Sequence, residues 1–176
     1  MKPFPGAPAP APGLDQPLEM LAACHERIES QLRTLERLAS HLAAHGIDGA
    51  AAEAARAVMH YFDTAGVDHH ADEEEDLFAL LRACGPAGTG ALLDRLRVEH
   101  DRMRSAWAEL RPGLLSIASR EGAGLDWARV RAFASLYRKH IALEEAELLP
   151  LAGRILEPGD LATLSACMVR RRNSSS

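Results

Sequence analysis

The sequence predicts an all-α protein, an antiparallel up-down-up-down four-helix bundle followed by a short C-terminal helix. Three observations carry this. The chain is rich in Ala, Leu, Arg and Glu, all strong helix formers, with few β-branched residues. Apolar residues recur at helical spacing, as in Leu21, Ile28, Leu32, Leu35 and Leu38, or Leu92, Leu96, Met103, Trp107 and Leu110, and no alternating strand pattern competes. Glycine and proline then divide the chain into segments of similar length, at His45–Gly49, Cys84–Gly88 and Glu121–Gly124.

Six of the ten prolines precede residue 18, so residues 1–16 read as an extended Pro/Ala-rich tail. Pro17 suits the first turn of a helix, where a missing N–H costs nothing. Helices follow over about 17–45, 48–83, 89–120 and 126–153, making residues 17–156 the bundle. Gly66 is expected to loosen the second helix, and Pro112-Gly113 to bend or interrupt the third. Residues 157–176 form the short last helix, with Asp160 as N-cap, Arg170–Arg172 in its last turn and a frayed end from Asn173.

Composition narrows the function. At 176 residues, 47% hydrophobic and 26% charged, the chain is one globular domain with tails. No apolar run approaches the ~20 residues of a membrane span, and the N-terminal segment has no apolar core of a secretory signal. A net charge of −5 argues against a nucleic-acid partner. Three widely spaced cysteines form no disulfide framework and no CxxC motif, which fits a reducing cytoplasm.

Eight histidines stand out. In antiparallel helices joined by a loop, residues at equal depth have their sequence midpoint in that loop. His25 and His69 have their midpoint at residue 47, His69 and His100 between 84 and 85, and His100 and His140 at 120, each in or at the edge of a predicted break. One histidine from each long helix therefore falls in a common layer. Two of them carry a carboxylate four residues on, His69 with Glu73 and His140 with Glu144, and i and i+4 share a helix face. The pattern repeats: His69-xxx-Glu73-Glu74-xx-Leu77-Phe78 parallels His140-xxx-Glu144-Glu145-xx-Leu148-Leu149.

Four imidazoles and two carboxylates meeting in a bundle core point to a dinuclear metal site, with mixed N/O ligation suited to iron and with manganese or zinc as competitors. Two six-coordinate ions offer about twelve positions, and four histidines, two bridging carboxylates and a bridging oxygen leave about two open, where O2, NO or peroxide could enter. His70 with Glu74 has the same spacing as His69 with Glu73 and is the alternative pair, although aligning the repeat on Leu77-Phe78 favours the latter. Tyr137, three residues before His140, is a candidate to hydrogen-bond a ligand. The remaining acids of the run Asp72–Asp76 are expected to form a solvated face, and Phe62, Leu77, Leu96, Met103 and Trp107 to wall the metals from water. Paired Glu-xx-His motifs, as in ferritin-like proteins, are absent.

The order His25, His69-xxx-Glu73, His100, His140-xxx-Glu144, with the Glu-Glu-xx-Leu-Phe and Glu99-His100-Asp101 contexts, resembles the hemerythrin-like (HHE cation-binding) family over about residues 18–152. The resemblance implies a four-helix bundle holding two iron ions in a non-haem centre, with those six residues as ligands and Glu73 and Glu144 as bridges. Oxygen-carrying members use a fifth histidine. The four-histidine set is closer to that of bacterial iron-centre repair proteins and iron-sensing F-box proteins. The expected activity is binding or sensing of O2, NO, iron or redox state. A di-iron enzyme or repair protein reacting with peroxide or nitric oxide is the alternative.

Overall fold

The computed structural model describes residues 16–122 and 124–174, so the Pro/Ala-rich stretch over residues 1–15 lies outside the described residues. Among those described, every regular element is helical. The first rod is α1 (Pro17–His45). The second is built from α2 (Gly49–Asp63), α3 (Ala65–Ala71), a wide π turn π1 (Asp72–Leu77) and α4 (Phe78–Cys84). The third is α5 (Thr89–Ala118), and the fourth is α6 (Trp127–Leu143), a second π turn π2 (Glu144–Leu148) and α7 (Leu149–Ile155). A fifth helix, α8 (Pro158–Ser174), closes the chain. None is long and apolar enough to cross a membrane among the described residues.

Local chemistry sets the ends. Pro17 sits in the first turn of α1. Asp48 caps α2 by accepting the Ala51 N–H at 2.8 Å, and Asp126 caps α6 by accepting the Ala128 N–H at 2.8 Å. Gly88, at φ +95°, takes the left-handed turn before α5 that a side chain would strain. Pro112 lies inside α5, which continues unbroken to Ala118, so of the expected bend or interruption the interruption does not occur.

The weak point of the second rod is at Thr64 rather than Gly66. Thr64 leaves helical geometry (φ −126°, ψ −88°), and its hydroxyl donates to the His60 carbonyl at 2.6 Å, competing with the backbone ladder. The last helix also differs from expectation. Glu157 precedes it, and Asp160 lies inside the first turn, where its carboxylate accepts the Glu157 N–H at 3.0 Å. Asn173 and Ser174 remain helical.

α1 packs on α2 and α6, and α5 packs on the same two, so the four rods enclose one interior. That interior holds two apolar clusters. One gathers Ile28–Ala39 of α1, α2, Met103–Ile117 of α5 and Val130–Tyr137 of α6. The other gathers Leu21, Leu77–Leu81, Leu93 and Leu96, Leu143–Leu156 and, from α8, Leu164 and Met168. Where the two clusters meet along the rods stand His25, His69 and Glu73, His100, and His140 and Glu144. A polar layer therefore lies between two hydrocarbon plugs.

Candidate metal centre

All six residues of that layer are buried, Glu73, His100 and Glu144 with no exposed surface and the other histidines with at most 2%. They fall into two groups of four, His25, His69, Glu73 and Glu144, and Glu73, His100, His140 and Glu144. In each group one donor atom per residue lies within 4.8 Å of all the others. Both glutamates belong to both groups. Glu73 reaches His69 Nε2 through Oε1 (3.4 Å) and His100 Nε2 through Oε2 (3.2 Å). Glu144 reaches His25 Nε2 through Oε2 (3.1 Å) and His140 Nε2 through Oε1 (2.9 Å). Each carboxylate thus spends one oxygen on each half, the arrangement a bridging ligand requires.

The π turns bear directly on this. Phe78 N–H donates to the Glu73 carbonyl and Leu149 N–H to the Glu144 carbonyl, so each wide i→i+5 bond closes on one of the two glutamates shared by both groups. The two turns occupy matching positions of the sequence repeat, and nothing in the hydrophobic spacing forecasts them.

The outward-facing Nδ1 atoms find carboxylates. His100 Nδ1 lies 2.7 Å from Glu74 Oε1, His25 Nδ1 lies 3.2 Å from Glu145 Oε1, and His140 Nδ1 lies 3.0 Å from Glu99 Oε2. An Nδ1–H that donates to the outer carboxylate leaves the inner Nε2 lone pair free, which is how metal-binding imidazoles are oriented. Glu74, expected either as an alternative ligand or as a support behind the ligands, stands in the second of these places, and Arg104 braces it from outside at 2.8 Å. Glu99 and Glu145 are functional residues the sequence reading missed. Glu74 and Glu145, the second glutamate of each Glu-Glu repeat, each orient the lone histidine of another rod, whereas Glu99 lies outside that repeat and orients His140, so no spacing in the sequence marks it. His69 departs from the pattern, because its Nδ1 is buried without a partner among the described residues. Cys24 stands beside His25 where Glu99 stands beside His100.

Electrostatics of the metal-free layer show what the donors lack. Burial disfavours charge on His25, yet the carboxylates of Glu144 (3.1 Å) and Glu73 (4.0 Å) beside its Nε2 outweigh it and push the imidazole up to about 10. His100 is likewise raised to about 9 against burial by Glu73 and Glu74, and His140 is raised against burial by Glu144. Burial lowers His69. Burial would raise Glu73, but His69 and His100 hold it well below the carboxylate range. Even so, all four oxygens of Glu73 and Glu144, together with His25 Nε2, have no aligned hydrogen-bond partner. His100 Nε2 and His140 Nε2 face each other at 2.8 Å, and one proton at most can lie between them. Buried carboxylates left in this condition are costly, and cations among converging nitrogens and oxygens would satisfy every one of them. The donor set fits the implied metal.

The alternative residues are placed as follows. His70 is buried, but it stacks on the His100 ring (centroids 4.1 Å apart, 21° between planes) and its Nε2 has no partner. It belongs to neither group of donors. Burial pushes it well below the usual histidine range, so it is neutral. Tyr137 contacts His70 through its ring (5.8 Å, 17°), and among the described residues its hydroxyl bonds no ligand, contrary to the expected hydrogen bond. Phe62, Leu77, Leu96 and Met103 are buried as expected, whereas Trp107 is half-buried and donates its indole N–H to Asp63 at 2.9 Å. Of the acid run's remaining members, Glu75 alone is exposed as expected for a solvated face. Asp72 has no exposed surface, Arg171 and Arg172 of α8 bind it, and Arg171 also binds Asp76.

Comparison with known proteins agrees with the geometry. An uncharacterised protein of Haemophilus influenzae is 31% identical over 158 residues, covering 90% of this chain and 91% of its own. Residues 16–152 match the hemerythrin HHE cation-binding domain, and the chain belongs to that family.

Proposed function

We propose that this chain is a non-haem di-iron protein that binds or senses a small redox-active molecule, O2 or NO foremost, at a dinuclear centre in an antiparallel up-down-up-down bundle. The observation that carries the reading is the sharing of Glu73 and Glu144 between two groups of two histidines each. One cation alone would leave two histidines and half of each carboxylate idle.

His25 and His69 would hold one ion, His100 and His140 the other, and Glu73 and Glu144 would span both. Manganese or zinc would compete for the same donors. A pair of iron ions supplies two adjacent one-electron centres. The chain supplies the rest: carboxylates on Nδ1 fix the imidazoles, and hydrocarbon on both sides keeps water from the layer. The alternation of the two apolar clusters along successive rods supports the up-down arrangement. α1 and α5 run from the second cluster into the first, while the second and fourth rods run the other way.

Beside the layer lies a cavity of about 280 Å3, lined by Phe62, Val67, His70, Met103, Trp107 and Tyr137 among others. A water occupies about 30 Å3, so this space admits small molecules up to the stacked His70. The three cysteines are free, consistent with a reducing cytoplasm.

The test is stopped-flow mixing of the reduced, iron-loaded protein with O2, NO or peroxide. A saturable spectral change at one equivalent per centre is expected for a binding protein. Consumption of many equivalents would replace this reading with that of a di-iron enzyme.

A further inference from the structure

The two π turns match in position but differ in cause. After π2 comes Pro150, which has no N–H to give the Ala146 carbonyl, so the local sequence itself interrupts the α ladder. The sequence of π1, Asp72-Glu73-Glu74-Glu75-Asp76-Leu77, contains neither proline nor glycine. Nothing local prevents an ordinary α turn there, and five adjacent acids repel one another. The restraint comes from outside. Arg171 of α8 donates to Asp72, to Asp76 at 2.7 Å and to Glu75 at 2.8 Å, and Arg172 donates to Asp72 at 2.8 Å. One guanidinium therefore grips the acids on both sides of Glu73. These are not loose surface pairs: the Arg171 side chain is 16% exposed, Asp76 16% and Asp72 0%. α8 is itself anchored by Leu164 and Met168 in the apolar cluster under the metal layer, and it lies beyond the residues that match the family.

We infer that α8 positions Glu73. Arg171 and Arg172 hold the wide turn that aims this carboxylate at both halves of the centre, and so set how firmly the centre keeps its cations. The inference rests on the dinuclear reading above for its consequence, though not for the brace itself. Arg171 and Arg172 act on Glu73 through Asp72, Glu75 and Asp76.

The experiment uses the full chain with Arg171→Gln/Arg172→Gln, Arg171→Lys, and Arg170→Gln as control, since Arg170 contacts Cys167 and not the acid run. Two quantities are read: hydrogen exchange of the Phe78 and Leu149 amides in metal-free protein, and release of Co(II) to EDTA. Phe78 exchange in the double variant should rise about tenfold with Leu149 unchanged, and Co(II) release should speed up about tenfold, near the low end for partners of metal ligands. Arg171→Lys, a single point charge that cannot span three carboxylates, should fall between and guards against a double variant that fails to fold. Unchanged Phe78 exchange, or equal effects from Arg170→Gln, would overturn the brace. Altered exchange with unaltered Co(II) release would overturn its link to the metal. Wild-type protein that takes up no Co(II) would overturn the dinuclear reading while the exchange arm still decides the brace.

Discussion

Glu73 and Glu144 each serve both halves of the layer, whereas each histidine serves one. Glu144→Ala should therefore take metal content from two ions per chain to below one, while His41→Ala and His60→Ala, outside the layer, should leave it unchanged by elemental analysis. The missing partner of His69 Nδ1 makes the halves unequal. In a Co(II) titration the His100/His140 half should fill first and the His25/His69 half second. Glu99→Ala should weaken the tighter phase by about ten- to a hundredfold and draw the two together. At this scale the sequence was informative about residues that point inward, because His-xxx-Glu spacing and loop midpoints fix face and depth. It said little about Glu99, Glu145 or Asp72, whose roles depend on a neighbour from another helix.

Helix ends were legible wherever a cap or a glycine decides them, as at Asp48, Gly88 and Asp126. Asp126→Ala should cost about 1 kcal/mol in urea unfolding of the metal-free protein and leave metal content untouched, because it loosens the start of α6 far from His140. The interruptions inside rods were less legible. Thr64 breaks the second rod by a side-chain bond to its own helix, while Gly66, the expected weak point, lies in α3. The π turns escaped notice because i→i+5 bonding leaves no mark on hydrophobic period, and π1 depends on arginines almost a hundred residues away. Asp160 was assigned to the right turn and the wrong position, since an acid within a first turn can return a bond to the preceding N–H.

For the whole molecule, the metal-free fold carries protonated imidazoles as substitutes for cations. His25 is raised to about 10 and His100 to about 9, so proton binding favours the folded state. The stability they contribute is present in full below the ordinary histidine value of about 6.5 and is lost as pH climbs through 9 to 10. Thermal melts of chelated protein should therefore show Tm falling between pH 7 and 10. Metal-loaded protein, in which those protons have already left, should hold its Tm over that range.

The central claim is that two cations share two carboxylates inside this bundle. Protein purified aerobically from iron-supplied cells and quantified for metal and optical spectrum tests it most directly. The account predicts two iron ions per chain with an absorption band arising from a coupled pair; fewer than about one ion per chain, in protein that is folded and unchelated, would contradict it.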